Sequence, residues 1–473
     1  MSDLRINAMD GREIVLAEAA VNDFKSKLLG SVLRMDDPGY NDARSLWNAM
    51  IDRKPALIVR CAGTADVISC VKFAREHNLL VSIRGGGHNI AGMASANGSL
   101  MIDLSSMKSV RVDPDARTAV VGPGATLRHL DHETQAFGLA TPLGINSTTG
   151  IAGLTLGGGF GWLSRSFGLT IDNLVSADVV TADGKFMKAN EKENADLFWG
   201  IRGGGGNFGI VTSFQYRLHP VGPQVLAGLL VHPFKDAGKV FRHYRDFVAQ
   251  APDKLTCWTV LRKAPPLPFL PTDVHGKEIF IIAVLYAGDM KEGEKILEPV
   301  RRFGQPIADV IGPAPFEGFQ QAFDPLLTPG ARNYWKSHNF TELSDGAIDT
   351  IIEYAGKLPT PLSEIFIGQL GGATNRVAPN ATAYPHRDAN FVMNVHTRWE
   401  DKGLDTKCVD WARKFFDVSA QYATGGVYVN FISEGEERVP NAFGVNYERL
   451  GKLKKKYDPN NFFRTNQNIQ PIA

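Results

Sequence analysis

A run of three glycines between a short apolar stretch and a histidine limits what this chain can fold into more than any other feature. Arg84-Gly85-Gly86-Gly87-His88-Asn89 follows Leu79 to Ile83, which is typical of a buried strand. Three consecutive glycines permit backbone angles that side chains forbid, and they let the main chain approach a ligand closely. Their N–H groups would form a concave anion site suited to a pyrophosphate. The alternative is a surface turn with a solvated histidine, and the neighbouring sequence decides between the two.

The neighbouring sequence predicts a β-α-β unit that ends at this run. Ala56 to Arg60 and Leu79 to Ile83 predict two strands, and a helix that begins near Thr64 separates them. A second glycine-rich run, Gly144 to Gly161, follows a helix predicted over Thr126 to Phe137. Two glycine-rich loops beside alternating strands and helices favour a ligand site over a simple turn.

Further motifs follow these two runs in a fixed order. They are Phe167-Gly168-Leu169-Thr170-Ile171-Asp172-Asn173, Asp196-Leu197-Phe198-Trp199, Tyr428-Val429-Asn430-Phe431, Asn446-Tyr447-Glu448-Arg449-Leu450, Tyr457-Asp458-Pro459-Asn460-Asn461 and Asn466-Gln467-Asn468-Ile469-Gln470-Pro471. No single motif is specific, but together they extend over most of the chain. The set resembles the berberine-bridge-enzyme-like flavoprotein oxidases, whose PCMH-type FAD-binding domain has the vanillyl-alcohol-oxidase type of flavin fold.

This resemblance implies an α+β protein in three parts. A two-subunit FAD-binding domain is expected over residues 1–219, with residues 1 to about 55 as a peripheral segment. A substrate-binding domain is expected over residues 220–427, and residues 428–473 return to the FAD-binding domain. In the middle part, the patterns predict four strands, at Val225 to Val231, Glu278 to Tyr286, Glu364 to Leu370 and Phe391 to His396. They predict four helices, at Lys235 to Ala249, Glu292 to Phe303, Asp345 to Leu358 and Asp405 to Tyr422. They indicate an antiparallel sheet covered by helices on one face.

One stretch fits a different nucleotide-binding pattern. Gly204-Gly205-Gly206-Asn207-Phe208-Gly209 matches G-x-G-x-x-G literally. That fingerprint needs a strand before it and a helix after it. Here a helix-like stretch, Asp196 to Trp199, precedes the glycines and a strand-like stretch, Ile210 to Leu218, follows them. We therefore reject a Rossmann fold, and the resemblance makes this loop part of the FAD cradle.

The cofactor that the resemblance implies is FAD, joined to His88 through the flavin 8α-methyl carbon. The alternative is a His88 that packs on the flavin without a covalent bond. The other cofactor-binding residues implied by the resemblance are Arg84, Gly85, Gly86, Gly87, Asn89, Pro123, Gly124, Gly144, Ser147, Thr148, Thr149, Gly150, Gly153, Gly157, Gly158, Gly161, Asp172, Asn173, Ile210, Val211, Tyr428, Asn466 and Asn468. Many relatives form a second link through a cysteine in GxCxxxG, but Asn146 holds that position here. One covalent link is therefore expected.

Hydride transfer from a carbinol carbon also requires a group that accepts the hydroxyl proton. The resemblance assigns this role to Tyr428; the alternative is a tyrosine that only stacks on the flavin. On a strand predicted over Gly426 to Phe431, alternation puts Tyr428 and Asn430 on one face, and both are candidate catalytic residues.

An ordinary tyrosine has a pKa of about 10, so a neighbour must lower it for use near neutral pH. Arg84, Lys454 or a second phenol could do so. In several relatives a phenol precedes the Gly-Leu segment, where this chain has Phe167. We therefore expect a weakly activated base and an alkaline pH optimum.

Asn394 is the third candidate catalytic residue, expected to orient the substrate. It shares one face of a predicted strand with His396, and that strand contains no carboxylate. His386 and Arg387, in a segment that resembles a motif at the domain junction of the family, are expected to be structural.

The function that the resemblance implies is an oxidase that passes a hydride from an alcohol, sugar or secondary-metabolite carbon to flavin N5, with O2 reduced to H2O2. A dehydrogenase with another acceptor and a flavin- or ligand-binding protein without turnover are the alternatives. The substrate is not identified by the sequence. Proline-rich Ala264 to Pro271 is either a lid or a stiff connection, and five aromatic residues are either a sugar-stacking platform or core: Trp258, Phe269, Tyr286, Trp335 and Trp399.

The composition limits which kinds of partner molecule are expected. Lys and Arg number 51 against 50 Asp and Glu, so the net charge of +1 gives no electrostatic case for nucleic acid. The four cysteines are widely spaced and indicate neither a metal site nor a disulfide framework. We see no secretory signal and no apolar run of about 18 residues, so a cytoplasmic protein with no membrane contact is expected. A small-molecule substrate and O2 are the expected partners, and a monomer or weak homo-oligomer the expected state.

Overall fold

The computed structural model describes residues 3–433, 435 and 438–472. A four-stranded sheet near the N-terminus has the order Ser31–Leu33, Leu57–Arg60, Leu100–Asp103 and Val81–Arg84, and its last three strands are parallel. Helix Thr64–Glu76 packs on it and buries Val67, Cys70 and Val71. The triple-glycine run therefore leaves the carboxyl end of a strand at the edge of this sheet. Strands Leu4–Asn7 and Glu13–Leu16 form a hairpin beside it, and helices Glu18–Ser26 and Tyr40–Arg44 follow.

A five-stranded antiparallel sheet forms the second layer. Its order is Phe186–Asn190, Leu174–Val180, Ile210–Arg217, Thr118–Val121 and Val110–Asp113. Its helices are Leu127–Gln135, Ile151–Leu156, Ser164–Phe167 and Ala195–Ile201, and a small ladder joins Leu139–Ala140 to His219–Pro220. C-terminal helices Val439–Phe443 and Tyr447–Tyr457 pack into the same apolar core.

The middle of the chain forms an eight-stranded antiparallel sheet. Its main path runs Ala308–Asp309, Gln224–Pro233, Glu278–Tyr286, Leu255–Lys263, Glu364–Gln369, Phe391–Trp399 and Arg332–Phe340, and Gly312–Pro315 pairs with Gln224–Pro233. Helices Ala237–Val248, Met290–Arg301, Asp345–Ala355 and Asp405–Ser419 pack on one face, and the short helix Phe316–Gln320 lies apart from them. The predicted α+β class, with an antiparallel sheet covered by helices, is confirmed.

Alternation along the strands fixes which residues leave the helix-covered face. On Phe391–Trp399, Phe391, Met393 and Val395 belong to the core shared with the helices. Asn394 and His396 point the other way, into the wall of a large cavity. The face opposite the helices is therefore the one that meets the glycine-rich loops.

Two predictions about these elements are wrong. Gly426 to Phe431 is not a strand, because only a 3-10 turn forms there, over Val429–Phe431. The N-terminal segment is not peripheral either, since Trp47 lies in the cavity wall. No helix in the described ranges combines the length and apolar character that crossing a bilayer requires.

Candidate active site

The glycine-rich loops and the open face of the eight-stranded sheet enclose a cavity of about 530 Å³. Sixteen of the predicted site residues line it: Gly85, Gly86, Gly87, His88, Asn89, Gly144, Thr149, Gly150, Gly153, Gly157, Ile210, Val211, Asn394, Tyr428, Asn430 and Asn466. Gly205, Gly206 and Gly209 of the rejected Rossmann pattern line it as well. Residues from all three predicted parts of the chain thus share one wall.

Direct backbone contact between the two glycine-rich loops shapes this end of the cavity. A Cβ atom on Gly86 would lie 2.5 Å from the nitrogen and Cα of Gly150. Gly87 has a φ of +71°, which favours glycine. In contrast, a Cβ on Gly153 or Gly206 would meet no protein atom within 4 Å. These two glycines leave open space in the wall, which suits a bulky ligand lying against the main chain.

His88 stands in the wall beside these loops. Its ring stacks on Trp47 with centroids 5.3 Å apart, and Trp47 N–H donates to Gly87 O (3.1 Å). Burial lowers the pKa of His88 to about 4, although a hydrogen bond to the backbone of Thr148 acts in the other direction. The imidazole is therefore neutral at neutral pH, with one nitrogen lone pair available.

Hydrogen bonds determine which nitrogen of His88 keeps the lone pair. Asn146 Oδ1 accepts from Thr148 N–H (3.1 Å) and from Thr148 Oγ1 (2.7 Å). The threonine hydroxyl has only one hydrogen, so its contact with His88 Nε2 (3.0 Å) is accepted from an Nε2–H. The lone pair consequently lies on Nδ1. Asn146, at the position of the family's second linking cysteine, thus orients His88 through Thr148.

Tyr428 is 2% exposed and lines the cavity. The phenol oxygen accepts from Gly159 N–H (3.0 Å) and from Asn430 Nδ2 (3.0 Å), which also donates to Leu154 O. Tyr428 and Asn430 therefore meet as predicted, although through a turn and not along a strand. Burial raises the pKa of Tyr428 to about 12, against the effect of these two hydrogen bonds.

The cations expected to activate Tyr428 are engaged elsewhere. Lys454 is buried and donates to Asp458 (2.7 Å) and to two backbone carbonyls. Arg84 donates to the carbonyl of Ala43. Phe167 stacks on His219, with ring centroids 4.0 Å apart. The expectation that Arg84 or Lys454 lowers the pKa of Tyr428 is therefore wrong.

A polar row crosses the open face of the sheet opposite these loops. Register pairs Trp335 with His396, His396 with Glu364, and Glu364 with Arg262. Glu364 Oε2 accepts from Arg262 (2.7 Å), and Glu364 Oε1 lies 3.2 Å from His396 Nδ1. Burial disfavours the ionised form of Glu364, but Arg262 and His396 outweigh this effect and lower the pKa of Glu364 to about 2. Asn394 lies one row away and also lines the cavity.

Sequence reasoning missed Arg262, Glu364 and Trp47, because only strand register and tertiary packing bring them to the cavity. It also missed the segment from Phe319 to Leu327, which lines the wall and docks on a glycine-rich loop where Ser147 N–H donates to Asp324 (2.9 Å). The proline-rich loop contributes Pro265, Leu267, Phe269 and Leu270 to the wall. Of the five aromatic candidates, Trp258, Phe269 and Trp335 line the cavity, and Tyr286 and Trp399 lie in the helix-covered core.

Ten predicted cofactor residues lie outside the cavity wall: Arg84, Pro123, Gly124, Ser147, Thr148, Gly158, Gly161, Asp172, Asn173 and Asn468. Asp172 holds Arg387 through bonds of 2.7 and 2.8 Å, and Asn173 bonds to Leu169 O and His219. These two support the loop that they belong to. His386, predicted to be structural, bonds to Ala442 O (3.1 Å). Within the described ranges, no cluster of His, Cys, Asp and Glu has the arrangement of a metal site.

Comparisons with known proteins agree with this fold. A protein-family model of an FAD binding domain matches residues 55–190, and one described as berberine and berberine like matches residues 427–470. The uncharacterized FAD-linked oxidoreductase YgaK of Bacillus subtilis is 34% identical over 459 residues, 95% of this chain and 98% of that protein. The crystal structure of 6-hydroxy-D-nicotine oxidase from Arthrobacter nicotinovorans superposes with a TM-score of 0.85 at 26% identity, over 94% of this chain and 98% of that one. A xylooligosaccharide oxidase from Myceliophthora thermophila shares the fold, with a TM-score of 0.83 at 24% identity over 96% of this chain and all of that one.

Proposed function

Because the chain belongs to the berberine-bridge-enzyme-like family of FAD-linked oxidoreductases, we propose that it is an oxidase that removes a hydride from a carbon bearing a hydroxyl group and reduces O2 to H2O2. The observation that carries this proposal is the position of Tyr428. Tyr428 lines the cavity that His88 also lines, and two fixed donors hold its phenol oxygen.

The cavity fits FAD by three properties of its wall. Gly153 and Gly206 leave room against the main chain, and two glycine-rich loops line the cavity. Asn466 Oδ1 is buried without a hydrogen-bond partner among the described residues. When bound, the flavin would accept the hydride and return the electrons to O2. Gly85 to Asn89, Thr149, Gly150, Ile210 and Val211 would hold it.

His88 supplies the single covalent link in this proposal. Its burial keeps the imidazole neutral, and Thr148 binds the Nε2–H, so Nδ1 carries the nucleophilic lone pair. Asn146 cannot form the second link of its cysteine-bearing relatives. Linkage through Nδ1 of His88 is therefore the expected bond.

Tyr428 moves the substrate proton in this proposal. A neutral phenol oxygen has two lone pairs, and Gly159 and Asn430 already occupy both. The neutral tyrosine can therefore only donate to a substrate hydroxyl. The phenolate has a third lone pair, which can accept the hydroxyl proton while Gly159 and Asn430 stabilise the negative charge. Ionisation of Tyr428 is consequently the step that makes the base.

Stopped-flow spectroscopy tests this function in two stages. Alcohols are first mixed anaerobically with the purified holoenzyme, and we expect flavin bleaching in a single phase. The reduced enzyme is then mixed with O2, and stoichiometric H2O2, measured with a peroxidase assay, is expected to accompany reoxidation. Bleaching followed by slow reoxidation would replace the oxidase with a dehydrogenase that uses another acceptor. Failure of every alcohol, sugar and amine to bleach the flavin would contradict an enzymatic function.

A further inference from the structure

The side of the cavity formed by the eight-stranded sheet is built mainly from apolar side chains. Leu229, Val231, Trp258, Val260, Ile281 and Phe366 line it from four strands. Phe269 from the proline-rich loop and Phe323 from the docked segment complete the wall. An oligosaccharide presents hydroxyls around every ring, and burial against such a wall would leave many of them without hydrogen bonds. The wall therefore suits a hydrophobic ring system and excludes a sugar chain.

Arg262 is one of several polar groups in this wall that lack a full set of partners; Asn394 Oδ1, Asn466 Oδ1 and the indole nitrogens of Trp162 and Trp335 are the others among the described residues. It is 6% exposed, its Nη1 donates to Glu364 (2.7 Å), and its Nε donates to Lys263 O (3.3 Å). No described residue accepts from Nη2. A guanidinium nitrogen that lacks a protein acceptor can donate to an acceptor oxygen of a ligand. The ligand is consequently expected to bring a carbonyl, ether or hydroxyl oxygen to Arg262.

Charge in the polar row disfavours a cationic ligand. Glu364 is the one carboxylate among the described residues of the wall, and Arg262 and His396 already contact both of its oxygens. Arg398 adds a second guanidinium on the adjacent row, where it pairs with Asn333 and stacks over Trp47 at 5.3 Å. A protonated amine would therefore meet a compensated carboxylate and an excess of positive charge.

From these observations we propose that the substrate is a neutral, hydrophobic ring compound whose end distant from the oxidised carbon carries an oxygen acceptor for Arg262. The proposal rests on the oxidase function above and specifies its substrate class. Arg262 is the specificity-determining residue, and Glu364 holds its guanidinium in place.

Binding of unreactive ketones to the FAD-loaded protein tests the substrate class independently of turnover. The probes are 1-tetralone, 6-methoxy-1-tetralone, 6-aminomethyl-1-tetralone and xylobiose, titrated by flavin absorbance and calorimetry. We expect the methoxy compound to bind about tenfold more tightly than 1-tetralone, the effect of one hydrogen bond from a charged donor. The amine is expected to bind more weakly than the methoxy compound, and xylobiose not to bind at millimolar concentration.

The double variant Arg262→Gln/Glu364→Gln removes both charges together and should abolish the preference for the methoxy group. Arg242→Gln, on helix Ala237–Val248 and remote from the cavity wall, where the arginine pairs with Asp349, is the matched control and should keep it. Equal affinity of the wild type for the two tetralones, or tighter binding of xylobiose or the amine, would overturn the proposal. Because these comparisons use the wild type, they test the proposal even if the double variant does not fold. If the wild type binds the four probes in the expected order of affinity but oxidises no alcohol, the result would instead count against the oxidase function.

Discussion

Replacing Tyr428 by phenylalanine should leave the flavin in place and slow its reduction at least 100-fold. The substitution removes one oxygen from the cavity wall and keeps the ring, which packs between Phe160 and Phe431 at 5.0 and 4.9 Å. The size of the effect follows from the loss of a positioned proton acceptor, which contributes about 10²- to 10⁴-fold. This factor corresponds to about 3–5 kcal/mol in the activation barrier.

The same change has a smaller cost in stability. Gly159 N–H loses its buried partner, which costs about 1–3 kcal/mol, whereas Asn430 keeps its bond to Leu154 O. The pH dependence gives a second signature. Because burial raises the pKa of Tyr428 to about 12, the phenolate fraction grows about tenfold for each pH unit below that value. Wild-type flavin reduction should accelerate accordingly from pH 7 to 10, and Tyr428→Phe should lose this slope.

Anaerobic stopped-flow measurement of flavin bleaching across this pH range provides both readouts. Tyr286→Phe is the matched control, because this tyrosine is buried in the helix-covered core and does not line the cavity. The control should reduce its flavin at the wild-type rate. A Tyr428→Phe variant that reduces its flavin within a few-fold of wild type, with the same pH slope, would refute the assignment of Tyr428 as the base.

Two further predictions concern the loops and the buried charges. Gly86→Ala places a Cβ 2.5 Å from the backbone of Gly150 and should yield protein without FAD absorbance. Gly63→Ala is the control, because its Cβ would meet no atom within 4 Å, and it should retain the FAD absorbance. A Gly86→Ala variant with a full complement of FAD would contradict the proposal that FAD lies against these loops. Burial raises the pKa of Asp131 to about 7, despite its bond from Gln320, so stability is lost as pH rises from about 4 to 7. The free energy of unfolding of Asp131→Asn, measured with urea, should therefore exceed that of the wild type by up to about 4 kcal/mol at pH 8 and match it near pH 4. A difference that does not change with pH would show that ionisation of Asp131 is not its cause.

Local patterns in the sequence predicted the parts of the fold that depend on one strand or one loop. The strand from Phe391 was predictable because Phe391, Met393 and Val395, which face the helix-covered core, alternate with residues on the opposite face, where Asn394 and His396 line the cavity. Strand Leu255–Lys263 was missed because its buried positions include the polar residues Thr256, Thr259 and Arg262, which interrupt the apolar pattern. Glycine runs similarly indicated the loops that approach each other, since only glycine permits that contact.

Residues whose roles depend on strand register or tertiary packing could not be predicted from the sequence. Arg262 and Glu364 are 102 positions apart, and neither stands in a motif. Trp47 reaches His88 only because the N-terminal segment packs against the triple-glycine run. Tyr428 and Asn430 were paired for the wrong reason, because a tight turn and not strand alternation brings the amide to the phenol.

The most direct test of the central claim is mass spectrometry of the peptide that contains His88. The protein is denatured in acid, digested, and analysed beside His88→Ala. We expect the wild-type peptide to carry the mass of one FAD, with fragmentation that places it on His88 and a bond at Nδ1 in the isolated aminoacyl flavin. The His88→Ala peptide should be unmodified. Complete release of FAD from the wild type, or modification at another residue, would contradict the claim that this cavity holds a flavin linked to His88.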